Sequence, residues 1–268
     1  MKKTYKVLAA ISAALAGAGL LLCIAGFILG GKLENSSLIP WKEDSGNLRG
    51  GIFETVWEGS ENENSDNVES LNVDIGTASL IMEHGDYDGI QVESDISGTK
   101  TKVWMEGSEL NIKSRGRWLK PGKGGAVKVY LPEKSRFREV LFDVGAGSIT
   151  VDRLEAEKIT IDTGMGEFTG SGLLRTEALD CHVGMGDVYI EEADSRETYL
   201  DCSMGSLDIV MRGSWEDYYL TGECSLGDLS TEDDSWSLDS DIMWGNEDGD
   251  RSINAECSLG EIMIETTR

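Results

Sequence analysis

The feature that most constrains this chain is a short phrase that returns mostly every 19 or 20 residues. One copy reads Ile-Asp-Thr-Gly-Met-Gly-Glu-Phe-Thr-Gly, and most other copies keep an acid, then Gly-x-Gly or Ser-x-Gly, then a second apolar segment. The copies lie at 73–82, 142–151, 161–170, 181–190, 200–209, 222–231 and 255–264. A unit this short cannot bury an apolar face alone, so neighbouring copies must stack.

Within each copy, apolar and polar residues alternate on both sides of the glycines, which is typical of strands with one buried face. Aligned copies give an inward column that runs Val144, Thr163, Val183, Cys202, Cys224 and Cys257. We assign the glycines to a corner because glycine reaches backbone conformations closed to other residues. The predicted fold class is all-β, a parallel β-solenoid with rungs about 4.8 Å apart. A sandwich of antiparallel hairpins is the alternative, but it does not predict column-by-column identity.

Composition divides the chain into four segments. In order, we predict a short cytoplasmic end with a transmembrane anchor at 1–31, an extracytoplasmic tether at 32–69, an N-terminal β subdomain at 70–138 and the solenoid repeats at 139–268. Ile52–Trp57 predicts an extra strand, and Glu-Gly-Ser-Glu at 106–109 predicts a hairpin turn.

The uncharged stretch Val7–Gly30 predicts a single helix long enough to cross a bilayer. Three lysines precede it and acids follow it, so we expect the N-terminus in the cytoplasm and the C-terminal domain outside the cell membrane. A cleavable signal peptide is the competing interpretation, because Ala14-Leu15-Ala16 resembles a cleavage site. Cleavage there would leave the apolar Leu20–Leu29 on the mature protein, so we favour the uncleaved anchor.

The net charge of −25 argues against nucleic acid as a partner. The exception is 100–138, where 11 lysines and arginines face three acids. A basic region beside an acidic body suggests a surface for anionic envelope polymers or lipid headgroups, but we favour internal charge complementarity and solubility. The partners considered are an envelope polymer and a membrane protein. The candidate binding residues are Lys100, Lys102, Lys113, Arg115, Arg117, Lys120 and Lys123.

Acids also recur in two outward columns. The first holds Asp74, Asp143, Asp162, His182, Asp201, Glu223 and Glu256, and the second holds Ser148, Glu167, Asp187, Ser206, Asp228 and Glu261. Stacked carboxylates repel, and bound calcium would relieve that repulsion, with Asp162, Asp187, Asp201 and Glu223 as candidate ligands. The simpler interpretation is a solvated acidic face, because the Gly-Gly-x-Gly-x-Asp pattern of calcium-binding nonapeptide repeats is absent. No other cofactor is indicated.

Signals of catalysis are few. The chain has two histidines and lacks Gly-x-Ser-x-Gly, His-Glu-x-x-His and a phosphate loop. Solenoid enzymes that cleave polysaccharides build their sites on long side loops, whereas the connections here are short. We therefore expect no catalytic residues, and a carbohydrate-active enzyme acting on an envelope or extracellular polysaccharide is the alternative.

Two further groups of residues are predicted to fill the core. Met165, Met185 and Met204 occupy the middle of the corner, where we expect them to face inward, and an exposed apolar stripe is the alternative. Cys181, Cys202, Cys224 and Cys257 fall on inward columns, and flat parallel stacking disfavours a disulfide between them.

The last rung of the repeat series is predicted to be covered by another segment of the chain. The last rung, Ile253–Ile264, is expected to leave backbone groups unpaired. The insertion 232–252, with Trp236 and Trp244, is predicted to fold over that end. Docking of a partner strand on an open end is the alternative.

The repeats resemble a known family. Tyr130-Leu-Pro-Glu leading into Val140–Val151, the Gly-x-Gly rungs and the ending Asp248–Ile262 are similar to the bacterial putative-adhesin family of membrane-anchored β-strand-repeat proteins. The resemblance covers roughly 70–268 and implies a binding or scaffold protein of the cell envelope, without catalytic residues to transfer. The chain departs from the family pattern where serine replaces the first glycine and where His182 replaces an acid.

Overall fold

The alternating pattern forms strands throughout the part of the chain that the structure describes. This computed structural model describes residues 53–58, 68–95, 99–116, 125–237 and 240–267. Those residues form 19 strands and no helix, so the all-β class is confirmed. Accordingly, they contain no helix long and apolar enough to span a membrane. The predicted anchor and nearly all of the predicted tether lie outside the described residues.

The first nine strands are β1 (Phe53–Glu58), β2 (Ser70–Ile75), β3 (Ser79–Gly85), β4 (Gln91–Asp95), β5 (Thr99–Glu106), β6 (Glu109–Gly116), β7 (Ala126–Pro132), β8 (Phe137–Val144) and β9 (Ser148–Val151). The remaining strands are β10 (Leu154–Thr163), β11 (Glu167–Val183), β12 (Asp187–Cys202), β13 (Ser206–Met211), β14 (Tyr218–Cys224), β15 (Asp228–Thr231), β16 (Ser235–Ser237), β17 (Ser240–Gly245), β18 (Arg251–Cys257) and β19 (Glu261–Thr266). The predicted strand at Ile52–Trp57 corresponds to β1, and the predicted turn at 106–109 joins β5 to β6.

Copies of the repeat pair in parallel and in register. Thr163 is paired with Val144 on one side and with Val183 on the other, and Val183 is paired with Cys202. The residues of this column are buried. A ring contact between Phe142 and Phe168, with centroids 5.2 Å apart, joins the two strand sets across the interior. The predicted register of these copies is therefore confirmed.

The parallel strands form two ladders that meet at the glycine corner. The first ladder lies before the corner and runs β6, β2, β8, β10, β11, β12, β18, β14. The second lies after the corner and runs β7, β3, β9, β11, β12, β13, β19, β15. One strand of each ladder makes one rung, and β11 and β12 serve both ladders because each is long enough to contribute to two rungs.

The order of the rungs differs from their order along the chain, and this corrects the prediction of an open last rung. β18 pairs with β12 on one side and β14 on the other, and β19 likewise lies between β13 and β15. The last copy of the repeat is thus inserted between two earlier copies. The first copy is inserted too, since β2 lies between β6 and β8. Each inserted rung has backbone partners on both sides, which an outermost rung would lack.

Antiparallel strands cover the outermost rung at each end of the ladders. At the N-terminal end β5 pairs with β6 and β4 pairs with β7. At the C-terminal end β17 pairs with β14 and β16 pairs with β15. The insertion 232–252 supplies β16 and β17, so it covers an end as predicted, although that end is the β14–β15 rung. Trp236 and Trp244 pack on the core there, with ring centroids 5.7 Å apart.

The four cysteines outside the predicted anchor are free and buried, as predicted. Cys202 and Cys224 follow one another in the inward column predicted from the sequence, but that order is wrong, because Cys257 of β18 lies between them. Each of these three thiols contacts the carbonyl oxygen of the glycine three residues later, at 3.1–3.2 Å. Burial, followed by the neighbouring thiols, raises the pKa of Cys257 to about 12, so its thiol stays protonated in the folded protein.

Candidate functional site

The glycine corner places a row of large apolar side chains on the surface. In stacking order the residues at its apex are Ala146, Met165, Met185, Met204, Leu259 and Leu226, which we call the tip column. The N–H of each donates to a carbonyl of the rung below, as when Met185 donates to Gly164 at 2.7 Å. The five large side chains are between 55% and 66% exposed. The prediction that these methionines fill the core is therefore wrong, because the corner turns the apex residue away from the interior.

Lack of space explains the second glycine of the corner. A Cβ added at Gly166 would lie 2.5 Å from the Gly147 carbonyl oxygen, and one at Gly205 would lie 1.9 Å from that of Gly186. The first glycine has more room, since a Cβ at Gly164 would lie 3.0 Å from the nearest backbone oxygen. Serine therefore replaces the first glycine in three rungs and never the second. Our sequence-based reason, an unusual backbone conformation, is wrong, because positive φ is confined to Gly107, Gly213 and Gly245 among the described residues.

Acidic side chains flank the tip column on both sides. The first acidic column lies two residues before the first glycine and runs Asp74, Asp143, Asp162, His182, Asp201, Glu256, Glu223. The second acidic column follows the second glycine and runs Ser148, Glu167, Asp187, Ser206, Glu261, Asp228. Both predicted outward columns are thus present. Because the last repeat is an inserted rung, Glu256 and Glu261 occupy the next-to-last place in their columns and not the last place.

Like charges in the first acidic column act on one another. Burial, then the carboxylates of Asp74 and Asp162, raise the pKa of Asp143. Lys113 forms an ion pair with Asp74 at the N-terminal end of the column. In the middle, the ring of His182 lies 3.8 Å from Asp201 and packs on Tyr199. A cation placed along this column would therefore reduce the mutual repulsion of its acids.

A shallow depression of about 420 Å³ lies along the first acidic column. The side chains of Asp143, Asp162, His182 and Asp201 line it, together with the backbone of Gly164 and Gly184. The depression exists because the first glycine of each rung carries no side chain between the acids and the tip column.

The four candidate calcium ligands are not brought together as a set. Asp162 and Asp201 share the first acidic column but have the His182 strand between them, and Glu256 stands between Asp201 and Glu223. Asp187 belongs to the second acidic column. Within the described ranges, no group of three or more His, Cys, Asp or Glu side chains is arranged to hold a metal ion. The calcium site stays a prediction.

Four of the seven candidate basic residues lie on the β5–β6 hairpin. Lys100 is paired with Arg115, and Lys102 with Lys113, so like charges face each other across the two strands. Trp104 follows Lys102 on the same face of β5 and is 40% exposed. Arg117, Lys120 and Lys123 lie outside the described residues. The hairpin therefore presents an exposed aromatic ring beside a basic cluster.

Sequence reasoning missed a row of alternating positive and negative side chains on a third side of the rungs. Arg136 lies 3.2 Å from Glu155, which is paired with Arg175, whose Nε lies 3.3 Å from Asp194. Asp194 also binds Arg251 at 2.9 Å and lines a depression of about 500 Å³ with Arg212 and Asp250. The signal was present, because Glu155, Arg175 and Asp194 recur at the repeat spacing. Three basic residues of the repeat series, Arg175, Arg212 and Arg251, are thereby engaged by acids.

Cys181 and His84 are in structural environments. Burial raises the pKa of the Cys181 thiol. His84 Nδ1 lies 2.7 Å from Asp152 Oδ1, and the backbone N–H of His84 donates to the other oxygen of the same carboxylate at 2.8 Å. The imidazole is nearly inaccessible, with a side chain 2% exposed. This contact joins the end of β3 to the turn after β9 and stabilises the first inserted rung.

No protein-family model and no curated protein matches this chain. Among solved structures, it is similar to a putative cell adhesion protein from Clostridium sporogenes, with 14% identity, 81% of this chain and 100% of that chain covered, and a TM-score of 0.38. It is also similar to a putative lipid binding protein from Parabacteroides distasonis (12% identity, 82% and 98% covered, TM-score 0.42). A putative adhesin from Bacteroides fragilis is a third (12% identity, 81% and 97% covered, TM-score 0.34).

Proposed function

We propose that this chain is a binding or scaffold module of the bacterial cell envelope, a parallel β-solenoid held at the membrane by its N-terminal segment. The observation that carries the proposal is the display of similar side-chain chemistry at most rungs of two in-register ladders. A surface that repeats about every 4.8 Å suits partners that are themselves extended. The uncharged stretch Val7–Gly30, with lysines on its N-terminal side, supports the tether.

The chemistry of the surface supports binding without catalysis. The largest clusters of titratable groups are the two acidic columns and the row of alternating charges. In each of them the side chains follow one another at regular spacing. Catalytic sites instead bring an acid, a base or a nucleophile together around one position that excludes water. The depressions on the described surface are shallow and lined by charged side chains.

The β5–β6 hairpin is the region of this module that we assign to an anionic envelope polymer. Lys100, Lys102 and Arg115 are exposed there, and Trp104 adds an aromatic face on which a sugar ring can stack. Phosphate or carboxylate groups of a polymer would relieve the repulsion between the paired cations.

Two measurements test the proposal on the full-length chain. Protease added to intact bacteria should digest the C-terminal domain and leave the N-terminal segment protected in the membrane. The chain in lipid nanodiscs should bind a polyuronate or a polyglycerol phosphate, and affinity should fall steeply with salt because the contacts are ionic.

The matched variants locate the binding surface. Replacing Lys100, Lys102 and Arg115 by serine should reduce affinity at least about tenfold, since three charge contacts are removed. Lys134→Ser removes an exposed charge elsewhere and should leave affinity unchanged. A domain protected from external protease would overturn the envelope assignment, and release of soluble sugar fragments from the polymer would overturn the assignment as a non-catalytic module.

A further inference from the structure

We infer that the tip column and the two acidic columns form a docking surface for a cationic amphipathic segment of a partner protein. The inference rests on the proposed function, because it names a second partner class for the same binding module. The β5–β6 hairpin, which we assign to anionic polymers, is a different surface with the opposite charge.

The apolar part of this surface is unusually continuous for an exposed region. Met165, Met185, Met204, Leu259 and Leu226 follow one another on five adjacent rungs. At the spacing of adjacent strands they extend over about 19 Å, which equals about 13 residues of an α-helix. Large apolar side chains scattered singly on a surface need no explanation, but a contiguous row is typical of an interaction site. Methionine adapts its shape to different partners because its side chain is unbranched and polarizable.

The charge beside the row has one sign on both sides. The first acidic column contributes Asp143, Asp162, Asp201, Glu256 and Glu223, and the second contributes Glu167, Asp187, Glu261 and Asp228. His182 is the one basic side chain among the described residues of these columns next to the five apolar residues. The depression along the first acidic column lies between its acids and the row, so a bound segment would have room for its own side chains.

These charges favour one class of occupant. An anionic lipid surface would be repelled by both acidic columns. A second copy of this chain would place acid against acid on both sides of the apolar row. A helix or strand with an apolar stripe between basic residues instead matches the row and both columns at once.

The test uses a helical peptide of leucine and lysine in amphipathic arrangement and the full-length chain in nanodiscs of zwitterionic lipid, with empty nanodiscs subtracted. We expect saturable binding that is weakened by salt, and no binding of the matched peptide in which glutamate replaces every lysine. Replacing Met165, Met185 and Met204 together by serine should lower affinity at least about tenfold, because the apolar area buried on binding is lost.

Two controls separate a lost surface from a lost fold. Replacing the same three methionines by leucine, the residue already present in the two neighbouring rungs, should preserve binding. Met243→Ser removes a methionine that is 74% exposed but lies on β17, outside the tip column, and should also preserve binding. Unchanged thermal unfolding of all variants shows that their fold is intact.

Three outcomes would overturn the inference: equal affinity for the lysine and glutamate peptides, unchanged affinity in the triple serine variant, or a dimer in light scattering that the triple serine variant abolishes. The last outcome would assign the row to contact between two copies. If the peptide fails to bind while the anionic polymer still binds and the domain is still digested from outside, this inference fails and the proposed function stands.

Discussion

The two ends of the ladders are covered in the same way but differ in surface charge. At each end the outermost rung is covered by two antiparallel strands, and the rung next to it is inserted out of chain order. The N-terminal cover carries both signs, with Lys100 and Lys102 on β5 and Glu93 and Asp95 on β4. The C-terminal cover is acidic, with Asp233, Asp234, Asp241, Glu247, Asp248 and Asp250 on and around β16 and β17. The comparison shows that covering an exposed ladder edge depends on backbone pairing and leaves surface charge free for other roles.

The ends also differ in how their covers are held. Trp236 and Trp244 anchor the C-terminal cover against the core, while the exposed Trp104 stands on the outer face of β5 at the N-terminal end. The C-terminal cover thus places two tryptophans and the buried Ile242 against the core, whereas the N-terminal end places Trp57 of β1 and Val103 of β5 there. At the N-terminal end, an aromatic ring is left available for binding.

The largest expected effect comes from placing a carboxylate inside either inserted rung. Val73 lies between Ile112 and Phe142, and Ile253 lies between Thr198 and Leu220, all of them buried. Val73→Asp and Ile253→Asp should each lower the free energy of unfolding by about 3 kcal/mol or more, because a buried unpaired charge is costly. Urea unfolding monitored by circular dichroism measures both.

The matched controls are Asn72→Asp and Asn254→Asp, which add the same carboxylate one residue earlier and one residue later, on the outward face. Both should stay within about 0.5 kcal/mol of the parent. A large loss at one end and almost none at the other would show that the two inserted rungs are not equivalent.

The second largest expected effect is a loss of stability that differs between the two covers. Trp244→Ala should lower the free energy of unfolding by about 2 kcal/mol, less than for a fully buried tryptophan because the ring is only partly buried. Trp104→Ala should change it by less than about 0.5 kcal/mol. Trp244→Phe should recover most of the loss, since the indole N–H of Trp244 is buried without a hydrogen-bond partner. Equal losses for the two alanine variants would contradict the proposed difference between the covers.

Two aspartates beside the inserted rungs should respond to pH with opposite sign. Burial alone would raise the pKa of Asp152, but hydrogen bonds from His84 and Arg153 outweigh it and lower that pKa. Its stabilising contribution is therefore present above its unfolded pKa and is lost as pH falls through the lower folded value. Asp152→Asn should cost about 1–3 kcal/mol at neutral pH, and the cost should shrink in strong acid.

Asp208, paired with β19 at the other end, should show the reverse. Burial, then Glu261, Glu265 and Asp187, raise its pKa, so its ionised form destabilises the fold at neutral pH and protonation removes that cost as pH falls. Asp208→Asn should increase stability by about 0.2–1 kcal/mol at neutral pH and by nothing below both pKa values. Unfolding curves of both variants across the acid range measure this, and the same sign for the two would contradict it.

The smallest expected effect is that of calcium on the acidic columns. Asp162, Asp187, Asp201 and Glu223 lie on separate rungs or columns, so we expect added calcium to leave the melting temperature of the full-length chain within error of its value in chelator. Magnesium is the matched control for general screening. A calcium-specific rise of several degrees, lost in Asp162→Asn, would instead establish a site there.

Local periodicity was enough to predict the rungs but not their order. The inward column from Val144 to Cys202, the two acidic columns and the burial of the cysteines all follow from spacing, because in-register parallel pairing repeats each residue's environment in the next rung. The identity of Glu223-Cys-Ser-Leu-Gly and Glu256-Cys-Ser-Leu-Gly marks neighbouring rungs, yet it does not say which other rung lies beside them.

By itself, the amino-acid sequence determined the strand class, the register of adjacent repeats and the acidic character of the outward columns. Tertiary structure decided that the first and last copies are inserted rungs, that the methionines face solvent and that the second glycine is required by a carbonyl from the next rung. The reason is physical. Alternation is a property of a single strand, whereas rung order and space at the corner depend on which other strands lie above and below it.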